Sequence, residues 1–153
     1  MKSTFLTRLP ITLFGIPAVI FLLSEGGMIF SGFITIVIFL CLIEFYDLKA
    51  SSGSRPNKFF GIIMALITCF MYIQFPNSNA VILLSSFTII IILSLLFEMF
   101  SGHQNPLDNV NITLSGVLYV AGLLGAMIAL RNWDSFNGSR FTMAMIFSVW
   151  VCD

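Results

Sequence analysis

The sequence predicts an all-α protein, a polytopic transmembrane helix bundle with about five spans and the start of a sixth. Hydrophobic residues make up 58% of its 153 residues and charged residues 9%, and the mean hydropathy is +1.02. A soluble domain carries about 25% charged residues, and a folded chain of about 150 residues leaves roughly a third of its surface exposed. Lipid is therefore the solvent that suits this composition. Apolar stretches recur at about 11–23, 28–46, 59–75, 80–100, 110–130 and 141–152.

The lengths of these stretches favour helices that cross a bilayer. A helix needs roughly 20 residues to cross about 30 Å of hydrocarbon. The fourth and fifth stretches meet this length, the second and third are adequate, the first is short, and the sixth runs to the last residue. Membrane β-strands would alternate apolar and polar residues. The run Ile89-Ile90-Ile91-Ile92-Leu93 breaks that alternation, so we interpret the stretches as helices.

The first stretch resembles a secretory signal only superficially. Lys2 and Arg8 precede a short apolar run, as they would in a signal peptide. However, Ser24-Glu25-Gly26-Gly27 is a poor cleavage site, and further apolar runs follow at once. We expect this segment to be retained.

Charge and cysteine usage exclude several classes of protein. Seven Lys or Arg residues balance seven Asp or Glu residues, so no basic surface for nucleic acid is indicated. Cys41, Cys69 and Cys152 lie within apolar runs. Three widely spaced thiols form neither a disulfide framework nor a zinc motif, and we interpret them as small hydrophobic residues.

Basic residues predict the orientation in the membrane, because cytoplasmic loops are enriched in Lys and Arg. Lys2 and Arg8 mark the N-terminus, and Lys49, Arg55 and Lys58 mark the 47–58 loop. Both regions are therefore expected in the cytoplasm.

Strict alternation then assigns a side to the remaining loops. The loops around Glu25 and at 76–79 and 131–140 fall outside, and the 101–109 loop falls inside. This assignment leaves Arg131 and Arg140 on the side where basic residues are rare. The conflict arises in the short 131–140 loop, which lies late in the sequence and is a weak determinant of orientation.

The fifth stretch carries small residues at helical spacing. Ala121, Gly125 and Ala129 recur every four residues, with Gly122 and Ala126 beside them. Small residues let helices approach closely in a membrane, so this face predicts a packing seam. A polar alternative concerns the start of the stretch, where three side chains could face a polar cavity: Asn111, Thr113 and Ser115.

Several polar residues near the ends of apolar stretches have two interpretations. Glu44 and Glu98 are either interfacial anchors that reach headgroup water or functional intramembrane carboxylates. His103 lies in a loop with no second His, Cys or Ser at useful spacing. We interpret His103 as a solvated loop residue.

Asp153 differs from these residues because it follows the apolar run 147–152 without a loop. A helix that begins near Arg140 places Asp153 about 20 Å along its axis. A carboxylate at that depth is costly unless it lines a water-filled cavity or binds a cation. The alternative is a frayed C-terminus that reaches water.

A series of residues in the second half of the chain forms an ordered pattern: Asn111, Thr113, Gly116, Tyr119-Val120, Leu130-Arg131, Gly138 and Val149-Trp150-x-x-Asp153. This order resembles the middle of bacterial phosphatidate cytidylyltransferases. The first half agrees with the family at Arg8, Gly26-Gly27-Met28 and Glu44-Phe45-Tyr46.

The resemblance covers essentially the whole chain and implies that residues 1–153 form the membrane-embedded N-terminal region of such an enzyme. In that family a Ser-Pro-Lys-Lys-Thr loop follows the Trp-x-x-Asp stretch, and a Lys-Arg and Asp-rich signature lies near the C-terminus. Neither occurs in this sequence. We therefore expect an inactive N-terminal fragment that lacks most of the catalytic part.

The resemblance also implies an activity for the parent protein. The family uses CTP and Mg²⁺ to convert phosphatidic acid to CDP-diacylglycerol and pyrophosphate, in the bacterial inner membrane. The resemblance also implies a multi-pass protein embedded in the lipid bilayer. It makes Asp153 the candidate catalytic residue and magnesium ligand. A homodimer is one assembly compatible with the sequence.

Two other functions remain open. One is a CTP-dependent kinase of polyprenols, which is a relative with a similar membrane setting. The other is a non-enzymatic subunit for membrane transport or assembly. Pseudo-symmetric halves with broken helices would favour transport, and we find none in the sequence.

We predict that Ser52 and Gly26 lie on opposite sides of the membrane, with Ser52 in the cytoplasm. The reason is the excess of Lys and Arg in the 47–58 loop over the loop around Glu25. Single cysteines at the two positions, in a background without native cysteines, should react with impermeant reagents from opposite sides. Labelling of both from outside the cell would contradict this topology.

Overall fold

The computed structural model describes residues 15, 17–74, 80–101, 105–134 and 137–152, and every regular element in these ranges is helical. Helix α1 covers 17–25. The other elements are α2 (Gly27–Ser51), α3 (Lys58–Ile73), α4 (Ala80–Phe100), α5 (Pro106–Gly116), a π-helical segment (Val117–Gly122), α6 (Leu123–Asn132) and α7 (Asn137–Cys152). The predicted all-α class is confirmed. Lys2, Arg8, His103 and the 76–79 loop lie outside the described residues.

Local sequence explains several helix boundaries. Gly26 and Gly27 have φ angles of 63° and 54°, a region that favours glycine, and they separate α1 from α2. Asn57 caps α3, and its Oδ1 accepts a hydrogen bond from the Phe60 N–H at 3.3 Å. Pro106 occupies the first turn of α5, where its missing N–H costs no helical hydrogen bond.

Helix α5, the π-helical segment and α6 run on without a break, and we call Pro106–Asn132 the central helix. It packs against α2 and α3 along much of its length, while α4 contacts its beginning and α7 contacts its end. The buried apolar core lies between these helices. Its residues are Leu23, Phe30, Ile34, Ile38, Leu42, Tyr46, Met64, Ala65, Cys69, Val117, Val120, Ala121, Met127 and Ile128.

Neighbouring helices alternate in direction, so the connections gather at two ends. At the first, which we call the Tyr46 end, Tyr46 of α2 and Glu98 of α4 both contact the beginning of the central helix. At the other, the Arg131 end, Arg131 contacts the last turn of α1. The 47–58 loop thus shares an end with the beginning of α5, as strict alternation of the spans predicts.

Two helices are long and apolar enough to cross a membrane by length and composition: α2, with 25 residues, and the central helix, with 27. Helix α3 has 16 residues, about 24 Å, which is shorter than the roughly 30 Å hydrocarbon layer. The expected total of about five spans therefore stays a prediction.

The predicted small-residue seam is partly buried, and an aromatic ring covers it rather than a second helix backbone. Ala121 and Gly125 are buried, Gly122 and Ala129 are half-buried, and Ala126 is exposed. The Tyr72 ring of α3 lies against Gly125, and a Cβ built there would be 2.5 Å from Tyr72 Cδ2. The Tyr72 hydroxyl donates a hydrogen bond to the Gly122 carbonyl at 3.1 Å. The absence of a side chain at Gly125 thus makes room for Tyr72.

The π-helical segment lies beside this contact. It spans Val117–Gly122, and such wide turns occur in short pieces within longer helices. Val117, Val120 and Ala121 are buried in it, so the wide turn belongs to the packed face of the central helix.

Replacing Gly125 with Leu should lower the free energy of unfolding by about 1–3 kcal/mol, because the added side chain overlaps the Tyr72 ring. Thermal unfolding in detergent measures the change. Ala126→Leu is the matched control, since it adds similar bulk to an exposed position one residue away. Equal melting temperatures for the two variants would show that Tyr72 does not restrict this face.

Candidate functional site

The candidate site residue predicted from the sequence, Asp153, lies outside the described residues. Of the two other carboxylates considered from the sequence, Glu44 is exposed and Glu98 is only 2% exposed. Asp108, in the first turn of α5, is also exposed. The burial of Glu98 rules out its interpretation as an interfacial anchor and directs attention to the residues around it.

Tyr46 forms the centre of the polar contacts at this end. Its hydroxyl donates a hydrogen bond to the Thr113 carbonyl at 2.8 Å. Its ring fits between Gly61 of α3 and Gly116 of α5, and a Cβ built at Gly116 would lie 2.6 Å from Tyr46 Cε1. Tyr46 therefore joins α2, α3 and α5 through one buried side chain.

Thr113 links α5 to the connection between α2 and α3. Its hydroxyl accepts a hydrogen bond from the Asn57 backbone N–H at 2.9 Å and donates one to the Asn109 carbonyl at 2.8 Å. Thr113 is fully buried. A buried polar group without a hydrogen-bond partner costs free energy. These two hydrogen bonds offset that cost for the Thr113 hydroxyl.

Glu98 and Asn109 extend the same set of contacts to α4. Asn109 Nδ2 donates to Glu98 Oε1 at 2.6 Å, and Asn109 Oδ1 accepts from the Arg55 backbone N–H at 2.8 Å. We call Tyr46, Glu98, Asn109 and Thr113 the polar network. It holds the end of α4, the beginning of α5 and the 52–57 connection in one arrangement.

Charged groups outside the network lie on the surface of the same end. Lys58 forms an ion pair with Asp47, and both side chains are exposed. Lys49 lies 5.9 Å from the centre of the Phe45 ring. An exposed ion pair contributes about 0–1 kcal/mol, so the buried network, rather than this pair, orders the Tyr46 end.

The described carboxylates do not form a magnesium site of their own. Among the described residues, no three His, Cys, Asp or Glu side chains come close enough to share a metal ion. Glu44 and Asp47 border a groove of about 410 Å³ on α2, but Asp47 is paired with Lys58. Mg²⁺ requires several oxygen ligands in near-octahedral geometry, and these residues do not supply such a set.

Arg131, one of the two basic residues in the predicted conflict of orientation, is bound within the helix bundle. Its Nε donates to the Leu23 carbonyl at 3.0 Å and its Nη2 to the Ser24 carbonyl at 3.3 Å. Both carbonyls belong to the last turn of α1, where basic groups are stabilised. Gly26 leaves room for the guanidinium, because a Cβ there would collide with it. Arg131 is thus a buried cap and not a loop charge that sets topology.

Sequence reasoning missed the polar network and the cap. Asn109 and Thr113 are spaced four residues apart in an apolar helix, and two polar residues at helical spacing could have indicated a buried polar contact. Tyr46 could be singled out only as an interfacial residue. Its partner, Thr113, is 67 residues away, and no local pattern indicates that pairing.

Together these observations describe an all-helical protein with two membrane-length helices, joined at one end by buried polar side chains. The chain belongs to the cytidylyltransferase family, whose model matches residues 6–153. This match confirms the resemblance seen in the sequence, and it supports a CTP-dependent nucleotidyltransferase. No curated protein and no solved structure matches the chain.

Replacing Glu98 with Ala should lower the free energy of unfolding by about 1–3 kcal/mol, because it leaves the buried Asn109 amide without its acceptor. Thermal unfolding in detergent measures the loss. Glu44→Ala is the control, since that carboxylate is exposed and a surface change is usually within about 0.5 kcal/mol. A loss no larger than that of the control would show that the network does not hold the Tyr46 end together.

Proposed function

We propose that this protein acts in phospholipid synthesis as a CTP:phosphatidate cytidylyltransferase of the bacterial inner membrane. The observation that carries the proposal is the family match over residues 6–153. The resemblance at Tyr119-Val120 and Trp150-x-x-Asp153 supports phosphatidate as the substrate within this family. The proposal includes a multi-pass bundle of about five spans, a total that the six apolar stretches support.

The proposed reaction transfers a cytidylyl group. A phosphate oxygen of phosphatidate attacks the α-phosphorus of CTP, the bond between that phosphorus and the α–β bridging oxygen breaks, and pyrophosphate leaves with the electron pair. Positioning and the stabilisation of charge on the phosphoryl oxygens account for most of the catalysis of such transfers. When bound, Mg²⁺ would neutralise charge on the phosphates.

The Tyr46 end is the end at which we place the nucleotide. Lys49 lies in the last turn of α2, Arg55 in the 52–57 connection and Lys58 at the start of α3. This distribution of basic residues favours the cytoplasm for the Tyr46 end. CTP is a cytosolic substrate, so the active end must face that side. The polar network supports this proposal because it holds the helix ends there in a fixed arrangement.

Asp153 is the residue that we propose as a catalytic group and magnesium ligand. The resemblance aligns it with the acidic residue of the Trp-x-x-Asp stretch. We further propose that residues 1–153 turn over CTP only when joined to the lysine loop and the Asp-rich signature of the family. Both would add the cationic and acidic groups that phosphoryl transfer requires.

The test is release of pyrophosphate from radiolabelled CTP in mixed micelles that contain phosphatidate and Mg²⁺. The 153-residue chain and the product of the complete reading frame are assayed side by side. We expect the enzyme with all family motifs to be active and Asp153→Asn to remove most of that activity, because the amide keeps the size of the side chain but loses its charge. Membrane insertion of this variant should be unchanged.

Several outcomes would contradict the proposal. Turnover by residues 1–153 alone would show that they hold a complete site. Near-normal activity of Asp153→Asn would remove this residue from the site. Transfer of phosphate to a polyprenol, with no CDP-diacylglycerol formed, would identify a CTP-dependent lipid kinase instead.

A further inference from the structure

The central helix exposes a row of polar side chains on the face opposite the core. Asp108, Asn111, Ser115 and Tyr119 are spaced three or four residues apart, and all four are exposed. Residues at this spacing lie on one face of a helix. We call Asn111, Ser115 and Tyr119 the outer polar face. Tyr119, near the middle of the helix, is 67% exposed.

These three side chains differ from most polar side chains in the apolar helices. Ser31, Ser94 and Ser148 each donate to a carbonyl about one turn earlier in their own helix. Within the described part of the chain, no hydrogen bond is formed by the side chains of the outer polar face. Their hydrogen-bonding capacity is therefore directed outward.

Exposing the outer polar face to the hydrocarbon of a bilayer would cost free energy. The 27 residues of the central helix extend about 40 Å, so about 5 Å projects at each end when the helix is centred in a 30 Å layer. Asn111 then lies near the edge of the layer, and Ser115 and Tyr119 lie within it. Placing polar groups in hydrocarbon costs free energy unless they form hydrogen bonds. The face therefore requires water, a polar ligand or a polar segment of polypeptide, and the test below distinguishes these.

The chemistry of the face fits a phosphate group with attached alkyl chains. The Asn111 amide and the Ser115 and Tyr119 hydroxyls can all donate hydrogen bonds, and phosphate oxygens accept them. Leu118 and Leu123 flank the face and are 67% and 63% exposed. A ligand bound here would contact donors at one end and aliphatic side chains at the other.

One nearby carboxylate must be considered, because it would repel a phosphate. Asp108 lies seven residues from Ser115, which is about 10 Å along the helix axis. Asp108 therefore lies at the outer end of the face, about one turn from Asn111 and about two turns from Ser115. Its repulsion is weakest for an anion bound between Ser115 and Tyr119.

We propose that the outer polar face binds the phosphomonoester headgroup of phosphatidate, with the acyl chains alongside Leu118 and Leu123. This inference rests on the proposed function and assigns the lipid substrate to particular residues. A nucleotide would match the donors but not the aliphatic flank, so the lipid fits the whole face better. The position of the face, which begins at the Tyr46 end, also places the headgroup on the side proposed for CTP.

The test measures access to single cysteines in proteoliposomes, in a background without native cysteines. Ser115→Cys reports on the face, and Ile92→Cys of α4 is the control. Ile92 is exposed and lies six residues before Glu98, just as Ser115 lies six residues after Asn109, the hydrogen-bonded partner of Glu98. Because α4 and the central helix are antiparallel, the control reports on lipid exposure at a similar depth.

A charged methanethiosulfonate added from the side of the 52–57 connection should modify Ser115→Cys and leave Ile92→Cys unmodified. In phosphatidylcholine vesicles, an increasing fraction of dioleoyl phosphatidate should slow the modification at Ser115→Cys. Dioleoyl phosphatidylglycerol, a phosphodiester with the same chains, should slow it much less. Adding Tyr119→Phe should raise the half-protecting fraction of phosphatidate about tenfold, as expected for one lost hydrogen bond to a charged group.

Three results would overturn the inference. No modification at Ser115→Cys would mean that lipid or another polypeptide segment covers the face. Equal protection by both anionic lipids, or protection by CTP alone, would exclude a phosphatidate headgroup site. Labelling does not depend on turnover, so protection by phosphatidate, with no release of pyrophosphate by the enzyme that carries all family motifs, would support this site while contradicting the proposed reaction.

Discussion

Burial of the Tyr46 hydroxyl inside an apolar bundle is the constraint on which the arrangement of the described helices depends. A buried phenol needs a hydrogen-bond partner, and the Thr113 carbonyl supplies it. The ring reaches that carbonyl only because Gly61 and Gly116 carry no side chain where it passes between them. One side chain thus sets the separation of three helices.

The other members of the polar network follow from the same requirement. Once α5 is placed against Tyr46, Thr113 and Asn109 face inward and need partners of their own. They find them in backbone N–H groups of the 52–57 connection and in Glu98. Removing one partner from such a set costs more than an average hydrogen bond, because the remaining group stays buried without compensation. The network therefore orders both a loop and the ends of two helices.

The sequence predicted the helices better than it predicted their contacts. The apolar stretches at 28–46, 59–75 and 80–100 correspond to α2, α3 and α4 within a few residues, because apolar length and turn residues are local signals. The partners of Tyr46 and Arg131 are 67 and 108 residues away, beyond the reach of any local pattern. Counting Arg131 as a loop charge was wrong for this reason, since a charge count cannot detect the carbonyls that bind it. The predicted seam at Gly125 was found, but its partner, Tyr72, required the three-dimensional arrangement.

The central helix shows how residues of the same chemical type can serve different purposes two positions apart. Successive helical residues are rotated by about 100°, so Asn109 and Asn111, like Thr113 and Ser115, lie on nearly opposite faces. Asn109 and Thr113 point inward, where the polypeptide satisfies them. Asn111 and Ser115 point outward, where the hydrocarbon core of a bilayer would offer no hydrogen-bond acceptor. Composition alone makes the four residues equivalent, but their surroundings do not. Inward polar groups stabilise the fold, whereas outward ones at membrane depth require a polar partner or water, and the lipid phosphate that we propose as a ligand would meet that requirement.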